Sequence, residues 1–187
     1  ACRTLGLSYD DRHGTDRDPL AAAPLFRKAC DAGEALGCYS LGHVYEEGRA
    51  PQKQKTFTIA MTPSGDNANR ITTWEDDWSD PSKVIKRDPA QAVAYYVKGC
   101  ELGSRDACEY AGSLLLRGEK VPKDAPKAAE MLQRLCDFSH AMGCAQLGTI
   151  YAAGDGVPRD SLRAAYLARK ACLLSGGALC EKGSPRP

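Results

Sequence analysis

Apolar positions recur along this chain at helical spacing, in a register that repeats. The fullest form of the pattern is C-x-x-L-G-x-x-Y, in which cysteine, leucine and tyrosine are separated by three and then four residues. Such offsets place side chains on one face of an α-helix. The pattern begins four times, at Cys2, Cys38, Cys108 and Cys144. The sequence therefore predicts several copies of a helix with one buried face.

Glycine stands in the same place in every copy of this helix. The four glycines in register are Gly6, Gly42, Gly112 and Gly148. Glycine inside a helix costs about 1 kcal/mol relative to alanine, so its recurrence needs a packing reason. We expect each of them to lie where a neighbouring helix approaches too closely for a side chain.

A second helix precedes each of the cysteine pairs described below. An aspartate lies twelve residues before the first cysteine of each pair, at Asp18, Asp88, Asp124 and Asp160. Aspartate is a favoured N-cap, because its carboxylate accepts from free backbone N–H groups at the positive end of a helix. Pro19 and Pro89 follow at the first helical position, where proline is tolerated. Each unit is thus predicted as a capped helix, a seven-residue turn flanked by cysteines, and a second helix.

The cysteines give the length of the repeat. Four pairs are each eight positions apart, and the last three pairs recur at 36 residues. The step from Cys38 to Cys108 is 70, which is 36 plus an insertion of 34. A fixed period of this length indicates a repeat array. The predicted organisation is a partial repeat 1–17, a repeat 18–50, an insertion 51–86, repeats 87–122 and 123–158, and a terminal repeat 159–187.

The cysteine spacing, the L-G-x-x-Y motif and the aspartate cap together resemble the Sel1-like repeat family, in its cysteine-rich, disulfide-bonded branch. The resemblance covers all but the insertion and the last few residues. Ala111 and Leu115 depart from the motif in one repeat, and the motif is missing after Cys180. The resemblance implies an all-α fold, an α/α solenoid of helical hairpins related to TPR arrays, with a concave partner-binding surface.

The paired cysteines are predicted to form disulfides within each hairpin. One cysteine lies near the end of a helix and the next near the start of its antiparallel neighbour, which can bring the Cα atoms within about 4.4–6.8 Å. A zinc site is the alternative, but zinc cysteines usually lie about two to four residues apart. The predicted bonds are Cys30–Cys38, Cys100–Cys108, Cys136–Cys144 and Cys172–Cys180. Disulfides imply an oxidising compartment, periplasmic or extracellular.

Cys2 is left over from this pairing. Its register makes it the second cysteine of a pair whose first member would lie upstream of Ala1. We therefore expect the chain to be a fragment of a longer array. A lipid-attached cysteine after Ala1 is the alternative, but it does not explain why Leu5, Gly6 and Tyr9 fall in register.

The insertion carries both tryptophans of the chain, Trp74 and Trp78. Alternating apolar residues over 55–61 predict a strand, turn residues follow over 63–67, and 70–74 could return as a second strand. The insertion is thus a loop or a β-hairpin. Acidic residues lie close to the tryptophans, at Glu75, Asp76, Asp77 and Asp80. Aromatic anchors with a charged rim are typical of interfaces, although the tryptophans could also simply pack on nearby helices.

Composition changes this picture little. A chain of 187 residues with 43% hydrophobic content and a net charge of +1 suits a folded array, and gives no reason to expect nucleic acid as a partner. No stretch approaches the roughly 20 apolar residues of a membrane span. His13, His43 and His140 match no metal-ligand spacing, and no nucleophile motif is present. We expect no metal and no cofactor, and we interpret His43 as a solvent-facing helix residue.

Two function classes remain open from the sequence. The first is a non-enzymatic scaffold that binds another protein or peptide. The second, which the family resemblance suggests, is a weak penicillin-binding or β-lactamase-like protein acting on a cell-wall ligand, although no residue matches such a mechanism. Candidate partner-binding residues are the insertion's Trp74, Glu75, Asp76, Asp77 and Trp78, and the helical Tyr39, His43 and Tyr110.

Overall fold

The computed structural model describes residues 19–48, 52–58, 70–76 and 79–180, the two middle segments through their backbone pairing. This part of the chain forms seven α-helices and one two-stranded sheet. The elements are α1 (Pro19–Asp31), α2 (Ala35–Glu47), β1 (Gln52–Thr58), β2 (Arg70–Asp76), α3 (Pro89–Glu101), α4 (Arg105–Arg117), α5 (Ala125–Asp137), α6 (Ala141–Ala153) and α7 (Ser161–Leu174). The predicted all-α solenoid is confirmed.

Each helix packs against the helices before and after it in the chain. The helices α1–α2, α3–α4 and α5–α6 form three hairpins, and α2, α4 and α6 pack in turn on the first helix of the next unit. Buried side chains of α3 to α7 form one core cluster, and buried side chains of α1 and α2 form a second, smaller one. The largest fully buried side chains of the two clusters include Phe26, Leu41, Tyr96, Met131, Leu132, Leu135 and Leu147.

Aspartates begin the first helix of the units, as predicted. The Asp88 carboxylate accepts from the backbone N–H of Gln91 at 3.0 Å. Asp124 and Asp160 cap α5 and α7 in the same way. These bonds satisfy backbone donors that a helix leaves unpaired in its first turn. Asp18 lies outside the described residues.

The predicted seven-residue turn between the paired cysteines is wrong. Helix α1 continues to Asp31 and α2 begins at Ala35, so residues 32–34 alone connect them and both cysteines are helical. The tight reversal is possible because Gly33 adopts a φ of 83°, which glycine reaches without steric cost. The Glu34 N–H then donates to the Ala29 carbonyl and closes the end of α1.

The four predicted disulfides are present. The Cα atoms of Cys30–Cys38, Cys100–Cys108 and Cys172–Cys180 lie 4.5 Å apart, and those of Cys136–Cys144 lie 4.6 Å apart. The first three bonds each join the two helices of one hairpin, and the fourth joins α7 to the segment that follows it. The cysteines are thus paired within each unit and are not gathered at a zinc site. Cys2 lies outside the described residues.

The glycines of the repeated motif lie where the next repeat approaches, as expected. A Cβ atom at Gly42 would lie 2.6 Å from Cδ1 of Tyr96 on α3. The equivalent distances are 3.0 Å from Gly112 to Leu132 and 3.3 Å from Gly148 to the Ala164 carbonyl oxygen. Close packing between repeats therefore explains why glycine recurs at this position despite its low helix propensity. Gly6 is not among the described residues.

The insertion contains an antiparallel pair of strands. Gln52 pairs with Asp76 at one end and Thr58 with Arg70 at the other. The first strand thus begins three residues before the predicted start at 55, and residues 59–61 lie outside the described part. The second strand extends two residues beyond the predicted end at 74. Strand limits follow from the pairing partner, here with Phe57 opposite Ile71, and a single-strand pattern does not contain that information.

Candidate protein-binding surface

Four rings from three helices meet at the junction of the first two described hairpins. Tyr39 and His43 lie one turn apart on α2, Tyr96 comes from α3, and Tyr110 from α4. The ring centroids of His43 and Tyr110 are 4.8 Å apart, those of Tyr39 and His43 are 4.9 Å apart, and those of Tyr96 and Tyr110 are 5.3 Å apart. We call Tyr39, His43, Tyr96 and Tyr110 the four-ring cluster. It unites three of the residues that the sequence predicted.

Tyr96 forms the floor of the four-ring cluster, and the sequence analysis missed it. Its side chain is fully buried, and its ring lies against Gly42. The equivalent position, four residues before the first cysteine, holds Phe26 and Leu132 in the neighbouring units. A tyrosine where other repeats have a purely apolar core residue was the available signal, because a buried hydroxyl usually has a hydrogen-bond partner.

That partner is Glu46. The Tyr96 hydroxyl donates to Oε2 of Glu46 at 2.8 Å, and Lys120 donates to its Oε1 at 2.7 Å. Burial acts to raise the pKa of the Glu46 carboxyl, but the hydrogen bonds from Lys120 and Tyr96 outweigh it and hold that pKa below its usual value. Glu46 is therefore ionised at neutral pH and ties α2 to α3 and to the segment after α4.

Tyr39 and His43 share a hydrogen bond of 3.0 Å between the phenol oxygen and Nε2. Nδ1 of His43 lies 4.0 Å from the Glu47 carboxylate. Burial, followed by the neighbouring Tyr110 and Asp106, raises the pKa of Tyr39 well above its usual value. The phenol is therefore neutral at physiological pH. This phenol–imidazole–carboxylate series resembles a relay, but the shift of the Tyr39 pKa is upward, opposite to the lowering that activates a nucleophile.

The four-ring cluster is accessible from one side. Tyr110 is 36% exposed, and Tyr39 and His43 are partly buried. The His43 side chain is 26% exposed, so it faces solvent in part. Rings from α2, α3 and α4 lie against the imidazole, and a pattern on α2 alone does not show those neighbours.

Carboxylates border the exposed side. Glu109 is half exposed on α4 next to Tyr110, and its Oε2 lies 3.9 Å from Nε2 of His140. Asp106 is exposed one turn earlier on α4, and Glu47 lies at the end of α2. The accessible rings therefore have negative charge at their edge.

The cluster is specific to this junction. One repeat further along, the positions of Tyr39, His43, Tyr96 and Tyr110 are held by Glu109, Ser113, Leu132 and Gln146. The same positions of the backbone thus carry four aromatic rings at one junction and none at the next.

The motif tyrosines Tyr45 and Tyr151 are not part of the four-ring cluster and make other contacts between helices. The ring of Tyr45 stacks on Tyr95 with 5.6 Å between centroids, and Arg27 donates to its hydroxyl at 2.7 Å. The guanidinium of Arg163 lies 4.3 Å above the ring centroid of Tyr151. These tyrosines hold the last turn of one helix against neighbouring helices.

Only three of the five predicted binding residues of the insertion lie among the described residues. Trp74, Glu75 and Asp76 belong to β2, and Asp77 and Trp78 lie outside the described residues. An open cleft of about 580 Å³ lies elsewhere, between α3, α4 and α5, with Val93, Leu115 and Val121 in its wall. It shares no residue with the predicted site.

Within the described segments, no group of three or more histidine, cysteine or acidic side chains is arranged to hold a metal ion. In the same residues, no helix is long and apolar enough to cross a bilayer.

Comparison with protein families identifies the repeats. Residues 1–34, 35–56, 82–104, 105–137 and 141–175 match the Sel1 repeat, which is well over half of the chain. The chain belongs to the Sel1 repeat family. Proteins with Sel1 repeats generally mediate protein–protein interaction and are generally non-enzymatic scaffolds. The unmatched residues 57–81 fall inside the insertion.

One curated relative is cytochrome c oxidase assembly factor 7 of Xenopus tropicalis, 28% identical over 133 residues, which are 70% of this chain and 43% of the relative. This Sel1 repeat chain therefore spans less than half the length of that relative.

Two solved structures show the same fold. A Sel1 repeat protein from Oxalobacter formigenes aligns with a TM-score of 0.65 at 20% identity, covering 94% of this chain and 58% of that one. A protective antigen of uropathogenic Escherichia coli with an SLR fold aligns at 0.59 and 20% identity, covering 92% and 30%. Cysteine-rich protein B of Helicobacter pylori aligns at 0.48 and 24% identity, covering 91% and 98%.

Proposed function

We propose that this Sel1 repeat chain is an extracytoplasmic scaffold that holds a partner protein or peptide on the four-ring cluster. The observation that carries the proposal is that three helices of two successive hairpins bring partly exposed rings together at one of the two junctions between described hairpins. Packing alone does not require this, because the next junction is built with Glu109, Ser113 and Gln146 at the same positions.

The physical character of the surface suits protein recognition. Aromatic side chains supply large contact area with few rotatable bonds, and they are enriched at the energetically dominant positions of interfaces. The hydrogen bond between Tyr39 and His43 and the fully buried Tyr96 hold the rings in place before a partner arrives. A preorganised surface loses less conformational entropy on binding.

The insertion is proposed as a second contact. A two-stranded sheet is marginally stable alone in water, so the pair β1–β2 gains from an additional surface to pack against. Trp74 and Trp78 would supply the apolar contact, and Glu75, Asp76 and Asp77 would attract a basic surface. In sequence, the insertion lies between the two hairpins that form the four-ring cluster.

Four disulfides favour an oxidising compartment, and we propose a periplasmic or extracellular location. Structural disulfides form and persist in such oxidising compartments and are rare in the reducing cytosol.

We propose no catalytic role for this chain. Tyr39 and His43 form the phenol–imidazole pair that most resembles reactive machinery in the described residues, and burial keeps the Tyr39 phenol neutral by raising its pKa. No observation favours the β-lactam alternative over the scaffold.

Site-specific photo-crosslinking in the native compartment tests this proposal. The crosslinking amino acid would replace Tyr110, which is exposed at the cluster, and in a matched control Glu130, which is exposed on α5. We expect discrete crosslinked species from position 110 that position 130 does not give. Identical products from the two positions, or none from 110 in folded protein, would contradict the proposal.

A further inference from the structure

We propose that the four-ring cluster recognises an arginine side chain of the partner. This inference rests on the proposed function and names the chemistry of the occupant. An arginine suits the site because its planar guanidinium stacks on aromatic faces and forms forked hydrogen bonds to carboxylates. The site offers both features together.

The rings are the first feature. The ring planes of Tyr39 and Tyr110 meet at 66°, with 5.7 Å between centroids, and the planes of His43 and Tyr110 also meet at 66°. The cluster therefore presents faces and edges in several directions over a small area. Tyr110 is the most exposed of its rings, so its ring is the natural platform for an incoming planar group.

The charges are the second feature. Asp106 lies one helical turn before Tyr110 on α4, so the two side chains share a face of that helix. Asp106 and Glu109 also help to raise the pKa of the Tyr39 phenol, after the larger effects of burial and of Tyr110. The ammonium of Lys120 is already bound to Glu46 at 2.7 Å, so its positive charge is largely neutralised at this edge. The balance favours a cationic side chain over an anionic one.

The chain itself sets an arginine against a tyrosine at two other places, by stacking between α6 and α7 and by a hydrogen bond within the α1–α2 hairpin. Arg163 places its guanidinium 4.3 Å above the Tyr151 ring, and Arg27 donates to the Tyr45 hydroxyl at 2.7 Å. Both arginines come from the first helix of a unit and reach a tyrosine on a second helix. At the four-ring cluster no arginine of the described residues takes this place in any contact that the structure shows, while the rings and carboxylates are present.

The test compares three peptides. The first is acetyl-Gly-Arg-Ser-Arg-Gly-amide, and the second has citrulline in place of both arginines, which keeps the planar shape and removes the charge. A third peptide carries lysine at the same positions. Binding to the full chain would be measured by titration calorimetry and by the NMR shifts of the tyrosine rings. We expect the arginine peptide to bind at least about tenfold more tightly than the citrulline peptide, and the lysine peptide to lie between them.

Variants locate the binding. Tyr110→Ala should weaken the arginine peptide about 5–30-fold, whereas Tyr110→Phe, which keeps the ring, should weaken it less than about threefold. Asp106→Asn combined with Glu109→Gln should weaken it about 3–10-fold and reduce its salt dependence. Tyr166→Ala is the matched control, because Tyr166 is an exposed tyrosine on α7, away from the cluster. It should change nothing.

Equal binding of the arginine and citrulline peptides, no measurable binding of the arginine peptide, or equal effects of the Tyr110 and Tyr166 substitutions would overturn the inference. The proposed function can survive that failure. If position 110 still crosslinks to a partner whose contacting segment lacks arginine, the surface is a binding surface and only its assigned chemistry is wrong.

Discussion

The junction between α2 and α4 and the junction between α4 and α6 are built on one scaffold and differ in their surfaces. Both have a disulfide on each hairpin and a glycine that admits a core side chain from the next repeat, Tyr96 in the first and Leu132 in the second. Outside that scaffold, the first junction presents aromatic rings and the second presents Glu109, Ser113 and Gln146. The comparison teaches that the positions shared by every repeat provide stability. A function confined to one junction must therefore depend on the positions that differ between repeats.

We expect the largest loss of stability when a disulfide, which every described unit has, is removed. Replacing Cys100 and Cys108 by alanine opens a nine-residue loop and should lower the free energy of unfolding by about 2.5 kcal/mol in the chain-entropy treatment. The matched pair Cys136→Ala and Cys144→Ala should lose the same amount, because the two loops have equal length. Chemical denaturation measures both. Losses that differ by more than about 1 kcal/mol would show that the two hairpins are not equivalent.

The next prediction compares the loss of stability caused by the same glycine substitution at the two junctions. Gly42→Ala places a Cβ atom 2.6 Å from the buried Tyr96 ring, and overpacking of this kind costs about 1–3 kcal/mol. In Gly112→Ala the new atom meets the flexible end of Leu132 at 3.0 Å, and alanine gains about 1 kcal/mol in helix propensity. We therefore expect a smaller loss for Gly112→Ala in the same denaturation experiment. A larger loss there would contradict the packing account of Tyr96.

A smaller effect, specific to the first junction, comes from Glu46. Its folded-state pKa is lowered, so the stability it contributes is present above its unfolded pKa and is lost as pH falls through the folded value. Glu46→Gln should cost about 1 kcal/mol at neutral pH. The variant should also lose less stability than the wild type on acidification below about pH 4.5, the unperturbed value. Unfolding curves from pH 7 to pH 3 measure this, and parallel pH profiles would exclude the assigned role of Glu46.

The smallest effect on stability is expected in the insertion. Because loop-closure entropy changes slowly with length and the insertion lies between complete hairpins, Trp74→Ala with Trp78→Ala should leave the melting temperature nearly unchanged and weaken partner binding. Melting and binding would be followed on the same preparation. Unfolding several degrees earlier with normal binding would mean that these tryptophans stabilise the fold and do not bind the partner.

The parts of the structure that repeat were predictable from the sequence. The aspartate cap, the motif glycine and the cysteine pair, such as Asp88, Gly42 and Cys100–Cys108, recur in register. Several copies therefore indicate the same physical requirement. The three-residue turn was missed because helix ends depend on backbone hydrogen bonds such as that from Glu34 to Ala29, which leave little trace in an apolar pattern.

Parts that do not repeat were predicted incompletely. Tyr39, His43 and Tyr110 stood out as polar aromatic residues at non-core positions, but their meeting point depends on how α2 and α4 stack across α3. Tyr96 was missed because its position holds an apolar residue in the neighbouring units, Phe26 and Leu132. The limits of β1 depended on its partner strand in the same way, since pairing across a sheet is a relation between two distant segments.

The central claim is that the four-ring cluster binds a partner and does not merely pack. Its most direct test is capture of the partner by a photo-crosslinker at Leu36, which is exposed one turn before Tyr39 on α2, in the wild type and in Tyr110→Gln, at equal amounts of folded protein. This substitution gives the first junction the residue that Gln146 provides at the second. The account predicts that capture falls at least about tenfold while the melting temperature changes by less than about 3 °C. Undiminished capture in Tyr110→Gln, with the melting temperature lowered by several degrees, would contradict it.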